Sequence, residues 1–261
     1  MRRFTILLAA YDRLELLKSS VESGLAQNWG DFEVLAIDDG SGRETADWLD
    51  EQAAIHDRLR VVHQPNSGVA AARANGVQAA NFDHVVILDS DDRLEPNALQ
   101  RYDQAFTERP ETDLFYGNIR HVFPDGKSKV REYRQFASNR KMIWGTFLYP
   151  RVPFKHSGTC FKRTVALELG NYDASMKIKI DVDIFLKFMH KNRSLRHLGG
   201  DPLVSFHVHD NMMSLDRSKG ISAWFELIDR YGSRFPLART FAKTMRGGSE
   251  IMKAVYEKLR F

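Results

Sequence analysis

Along the first 110 residues, short apolar runs alternate with stretches whose apolar positions recur every three or four residues. FTILLAA (4–10) reads as a buried strand. Leu14, Leu17, Val21 and Leu25 then fall on one face of a helix over 14–27. FEVLAIDDGS is a second strand whose turn is marked by Gly40, Ser41 and Gly42, and residues 43–54 follow as a helix. LRVVHQ is a short third strand. NSGVAAARANGVQAA is an Ala-rich helix with Asn66 and Ser67 as capping candidates. HVVILDSDD (84–92) is a fourth strand, and a helix runs from Pro96 to about Glu108. Such alternation predicts an α/β fold, a Rossmann-like, mainly parallel sheet flanked by helices.

After residue 112 the pattern changes. Residues 112–134 read as two strands around the turn Pro124-Asp125-Gly126. Residues 136–155 have no clear period. A helix from Arg163 to Leu169 stops at Gly170, and another runs from Asp181 to His190 with Ile184, Phe185 and Phe188 inward. The tail is helical from Ala223, with breaks expected at Pro236 and at Gly247-Gly248.

Charge adds one feature. Residues 211–261 hold ten Lys or Arg against five Asp or Glu, so this stretch contributes +5 while the whole chain carries +4. A basic tail behind a near-neutral body suggests an anionic partner. Trp224, Phe225, Leu227, Ile228 and Tyr231, with Arg230 and Arg234, form a candidate amphipathic helix for peripheral membrane contact, with a plain packing helix as the alternative. Cys160 is the only cysteine, so no internal disulfide forms and a cytoplasmic setting is expected. The apolar stretch after Arg2 and Arg3 is too short for an export signal. The expectation is a cytoplasmic protein, peripheral at most at the inner face of the cell membrane.

In open parallel sheets ligands bind outside the carboxyl ends of the strands. Three strand ends here carry polar residues: Tyr11 and Asp12, Asp38 and Asp39, and Asp89 to Asp92. Three like charges within four positions, Asp89, Asp91 and Asp92, need neutralising. A divalent cation such as Mg2+ or Mn2+ is one answer, and a helix cap near Pro96 is the other. A calcium loop fits badly, because Leu94 and Gln100 stand where an EF-hand has Gly and Glu.

Taken in order, AAYDR, LAQNWGDFEVLAIDDGSG, NSGVAAARANG, VVILDSDDRLEP and HSGTCFKRTVALELGNYD resemble the family 2 glycosyltransferases, which have the GT-A fold. The resemblance covers about residues 4–210. It implies a catalytic domain over 1–210, with a nucleotide-binding half (1–111) and an acceptor-binding half (112–210). Residues 211–261 are then a basic helical extension. The implied reaction is transfer of a sugar from a nucleotide-sugar, UDP by preference and GDP or dTDP otherwise, to a hydroxyl of a glycan or lipid-linked acceptor. The anomeric carbon inverts, and Mn2+ or Mg2+ assists. The family pattern puts Ala9 and Tyr11 at the base, Asp39 on a ring N–H and Asp38 close behind it. Arg73 falls on a base carbonyl or a phosphate, and Asp89 with Ser90 at the ribose. Asp91, with Asp92 beside it, is assigned to the metal. Asp181 is the implied catalytic base, although Ile180 replaces the glutamate that usually precedes it. His207 and His209 alternate on a strand and share a face, and His209 is expected as a further metal ligand.

Other classes fit less well. A dinucleotide-dependent dehydrogenase needs G-x-G-x-x-G after the first strand, where this chain has Tyr11-Asp12-Arg13. A nucleotidyltransferase would show a Gly-rich basic loop there. No nucleic-acid-binding module is recognisable, and no Gln-x-x-Arg-Trp motif marks a processive synthase. A catalytically degenerate nucleotide-sugar-binding protein is the remaining alternative.

Overall fold

The computed structural model describes residues 1–148, 152–208, 220–232 and 236–258. The first half follows the alternation: β1 (Phe4–Ala10), α1 (Leu14–Leu25), β2 (Phe32–Asp38), α2 (Arg43–Ile55), β3 (Leu59–His63), α3 (Val69–Ala79) and β4 (His84–Ile87). There follow β5 (Asp92–Leu94), α4 (Ala98–Glu108), β6 (Leu114–Gly117), β7 (Ile119–Val122), β8 (Ser128–Arg131) and α5 (Asn139–Leu148). The remainder is β9 (Cys160–Lys162), α6 (Arg163–Glu168), α7 (Ile180–His190), β10 (Leu195–Leu198), β11 (Val204–His207), α8 (Gly220–Tyr231) and α9 (Pro236–Lys258).

The main sheet has seven strands in the order β10-β6-β9-β4-β1-β2-β3. All pairings are parallel except those of β9 with β4 and β6. A parallel sheet covered on both faces needs near-continuous apolar strands, and β2 is buried at every position. Helix α3 lies close on β1 because Gly76 has no side chain: a Cβ there would sit 2.3 Å from Leu7 Cδ1. From β3 at one edge the chain returns across β1 to form β4, so strand order switches between β1 and β4. A crevice opens at the carboxyl ends of strands at such a point.

A smaller sheet, β5-β11-β7-β8, stands beside the first. Its existence corrects the expected strand over 84–92. The main-sheet strand stops at Ile87, residues 89–92 turn with the Asp92 N–H on the Asp89 carbonyl at 3.0 Å, and β5 enters the second sheet. Residues 112–134 hold three strands rather than two, since Asn118 separates β6 in the large sheet from β7 in the small one. The unreadable stretch at 136–155 contains α5. Helix α9 runs through Gly247-Gly248 without a break, and a Cβ at Gly247 would meet the Phe225 ring at 3.5 Å. The apolar face of α8 packs into the protein, as expected of a packing helix; Arg234 lies outside the described residues. Trp224, Leu227 and Ile228 are at most 1 % exposed and belong to the main core cluster. Among the described residues no helix is long and apolar enough to cross a membrane.

Candidate functional site at the carboxyl edge of the sheet

Register aligns the strand ends: Ala10 is level with Asp38, Asp38 with His63, and Leu7 with Ile87. Tyr11, 52 % exposed, therefore stands at the lip of the crevice beside half-buried Ala9. Asp12 and Arg13 both take left-handed backbone conformations (φ 50° and 55°). They are held by the Asp12 N–H donating to Ser41 Oγ (2.9 Å) and by Asp12 Oδ1 accepting from the Gly42 N–H (2.7 Å).

Asp38 and Asp39 are almost fully buried and satisfied locally. Asp38 accepts from the Ser41 N–H at 3.1 Å and faces His63 Nδ1 at 2.7 Å. Hydrogen bonds to Asp50 first, then to Asp38, which accept from the ring, raise the His63 pKa. Asp39 accepts from Gln64 Nε2 (2.7 Å) and from the N–H groups of Ser67 and Gly68 (2.8 Å each). Asp39 thus holds the turn that enters α3, whereas Asn66 or Ser67 was expected to cap it; the N-cap residue is Gly68, at φ 88°, with no side-chain cap. A carboxylate offers about four lone-pair sites, so one on Asp39 is left for a further donor.

Asp89 is clamped from two sides. Arg73 Nη2 donates to its Oδ1 at 2.6 Å, and His156 Nδ1 lies 3.6 Å from the same oxygen. Burial pushes the Asp89 carboxyl up, but Arg73, His156 and Lys155 outweigh it and hold it well below the usual carboxylate range. His156 is itself buried, and its Nε2 lies 2.8 Å from the Tyr172 hydroxyl. Burial and then Arg73 keep its pKa low, so the ring is neutral. Of the two neutral tautomers, the one with its proton on Nδ1 would accept from Tyr172 at Nε2 and turn that proton toward the ionised Asp89. His156 and Tyr172 lie within the HSGTCFKRTVALELGNYD motif but no role was expected of them, and Lys155 precedes it in a stretch without a clear period. The local signal is Gly158 at φ 78°, in the turn that follows His156, where a Cβ would press Val204 at 2.9 Å.

Asp89, Asp91 and Asp92 can bring carboxylate oxygens within 4.8 Å of one another, a spacing suited to one cation. Asp91 Oδ2 is 3.7 Å from Arg13 Nη1. Asp92 is 1 % exposed and neither oxygen has a hydrogen-bond partner. Burial, then the charges of Asp89 and Asp91, push its pKa up to about 8, opposed by Lys155 and the nearby Ser157 hydroxyl. A buried carboxylate without donors is costly unless a cation meets it. The residues present therefore fit a hard divalent ion. Half-buried Ser90 lies within the turn. His209 lies outside the described residues. His207 shares a strand face with Ser205, which bonds Glu95 at 2.7 Å, so it points away from the row that contains Asp92.

Asp181 is half-buried in the first turn of α7. It does not cap the helix: the N-cap is Lys179, in a left-handed conformation at φ 59°. Its charge reaches the same cluster, acting on both His156 and Tyr172. Asp183, two residues on, faces the opposite way and is 1 % exposed. It accepts from the Tyr231 hydroxyl (2.7 Å) and Arg230 Nη1 (3.2 Å) and pairs with Lys187 at 3.1 Å. Arg230 also reaches Asp173 at 3.1 Å. Helix α8 is thereby pinned across both ends of the segment that leads to Asp181.

Residues 5–169 match the family described as glycosyl transferase family 2. The chain is 31 % identical over 132 residues to EpsH of Bacillus subtilis (strain 168), described as a glycosyltransferase, covering 50 % of this chain and 38 % of that one. It is 26 % identical over 195 residues to a chondroitin synthase of Pasteurella multocida (strain Pm70), covering 72 % of this chain and 20 % of that protein. The chain thus spans well under half the length of these relatives. Among solved structures it resembles S. aureus TarS 1–349 in complex with UDP-GlcNAc, with a TM-score of 0.72 at 14 % identity, over 94 % of this chain and 70 % of that one.

Proposed function

The chain belongs to glycosyl transferase family 2, and from that premise we propose that it moves a sugar from a UDP-sugar to a hydroxyl of a glycan or lipid-linked acceptor in surface polysaccharide synthesis, with inversion. The observation that supports this most is that the carboxyl ends of the two strands flanking β1 carry Asp39, after β2, and, after β4, Asp89 paired with Arg73 and the unpaired carboxylate of Asp92. TarS, whose fold this chain shares, has been crystallised with UDP and with UDP-GlcNAc.

Tyr11 flanks the base and Asp39 accepts a ring N–H on its remaining lone pair. Asp89, kept ionised by Arg73, accepts from the ribose hydroxyls, with Ser90 alongside. Asp91 and Asp92 hold Mn2+ or Mg2+, which when bound offsets the charge of the departing diphosphate. Asp181 takes the proton of the acceptor hydroxyl. His156, fixed by Tyr172, directs its Nδ1–H at Asp89 and so sets the carboxylate that holds the donor. One observation favours the degenerate alternative: Ile180, buried at 6 % exposure, provides no second carboxylate beside Asp181.

The test is release of UDP from a panel of UDP-sugars with Mn2+, compared between the wild type and Asp181→Asn. An enzyme releases UDP, and the variant loses roughly 10²–10⁴-fold in rate while keeping its affinity for UDP. A protein that binds UDP yet releases none from any donor is the degenerate module. Equal rates for the two proteins would remove Asp181 from its role.

A further inference from the structure

One face of the small sheet changes character along its length. Near the core it is closed by Leu94, Val204 and Ile119, each at most 4 % exposed. Two residues further along each strand, register places Asp92 beside Phe206, Phe206 beside His121, and His121 beside Lys129 in a single row. These residues share the face of Leu94, Val204 and Ile119, because positions two apart lie on one side of a strand. Phe206 and His121 are half-buried, Lys129 is exposed, and Phe123, two beyond His121, is 38 % exposed.

The rings are contiguous. Phe206 and His121 have centroids 5.2 Å apart, and His121 stacks on Phe123 at 6.3 Å and 20°. Lys155 Nζ lies 3.9 Å from the centre of the Phe206 ring. The row begins at the carboxylate cluster and ends about two to three strand spacings away, roughly 10–14 Å. Aromatic faces match the apolar C–H faces of sugar rings, and cations along the row match negative substituents. Asp89 and Asp91 each face an arginine, Arg73 or Arg13, and Lys155 also acts on Asp89 and Asp92, so Lys129 is the row's cation farthest from the carboxylates.

We propose that Phe206, His121 and Phe123, with Lys155 and Lys129, form the acceptor track, and that the acceptor is an anionic oligosaccharide reaching at least one ring beyond the residue that receives the sugar. This rests on the reading that Asp89 to Asp92 hold the donor diphosphate. The track meets that cluster at Asp92, and its charge complements the partner.

The experiment is titration calorimetry of the full chain, with and without UDP and Mn2+, against three oligomers of equal length. One alternates uronic acid with N-acetylhexosamine, one is a glycerol phosphate oligomer, and one is a neutral N-acetylglucosamine oligomer. One anionic oligomer should bind about tenfold tighter than the neutral one, and which one it is separates a carboxylate from a phosphate. Phe123→Ala and Lys129→Ala, both at exposed positions, should each weaken that binding about five- to tenfold and leave UDP affinity unchanged. Three results would overturn the inference: no oligomer binds, the neutral one binds equally well, or neither substitution matters. Failure of the donor reading would show separately, as absence of UDP binding in the same samples.

Discussion

Tyr231→Phe tests how α8 holds the helix that carries Asp181. The Tyr231 hydroxyl donates to Asp183 Oδ1 at 2.7 Å, and that carboxylate is 1 % exposed. Removing the hydroxyl leaves Lys187 at 3.1 Å and Arg230 at 3.2 Å. The charge therefore stays paired, and the 3–5 kcal/mol typical of a broken buried pair is an upper bound. What goes is one hydrogen bond to a buried charge, worth about 1.5–3 kcal/mol. At about 2–4 °C per kcal/mol for a chain of this size, the melting temperature should fall by roughly 3–12 °C. Calorimetry, with urea unfolding to confirm an unchanged m-value, measures it. The rate of transfer should fall as well, while KM for the sugar nucleotide holds, because the donor site lies on other elements. A melting temperature within about 1 °C of wild type would mean that this bond does not pin α8 to α7.

Gly76→Ala should destabilise by on the order of 1 kcal/mol despite the better helix propensity of Ala, because crowding against Leu7 and Ile37 outweighs it; a more stable variant in urea would refute the close approach of α3 to β1. His84 lies between Phe4 and Phe106, at ring centroid distances of 5.6 and 4.6 Å. Burial, partly offset by Asp83, lowers its pKa to about 4. Below about pH 6.5 the unfolded chain takes up a proton that the folded chain refuses until about pH 4. Stability should therefore fall by about 3 kcal/mol through that window, and His84→Leu should remove that share of the slope. Identical slopes in the two proteins would contradict the neutral, buried ring.

Much of residues 1–111 was legible because their rules are local. Buried parallel strands need unbroken apolar runs, and β1 and β2 have them. Helix α7 was legible too, since Ile184, Phe185 and Phe188 all face inward. What escaped was non-local. Nothing in HVVILDSDD separates a strand that continues from one that changes sheets. The change is imposed by β11, which pairs with β5 from more than 100 residues away. Helix α5 hid because its buried positions, Met142, Gly145, Thr146 and Phe147, are too small or polar to mark an apolar stripe. Gly247-Gly248 reads as a break, yet the bare backbone at Gly247 lets Phe225 approach. The tail was read as a basic, amphipathic appendage, but Trp224 lies against one of its own cations, Arg246, at 3.5 Å from its ring, and against Lys179 of the body at 5.5 Å. The carboxylates of the site announced themselves by clustering in sequence. The groups that set their charge, Arg73, Lys155 and His156, lie more than 80 residues apart at the extremes and converge only in the fold.

The central claim is that the carboxyl edge of the sheet is a metal-assisted nucleotide site. The most direct test is thermal unfolding of the wild type and Asp91→Ala with UDP, GDP, dTDP and CMP, each with and without Mn2+. The account predicts that UDP with Mn2+ stabilises the wild type by about 2.7 kcal/mol at one hundred times its dissociation constant. It also predicts that the part contributed by Mn2+ disappears in Asp91→Ala. Absence of any nucleotide-dependent shift, or a shift indifferent both to Mn2+ and to Asp91, would contradict it.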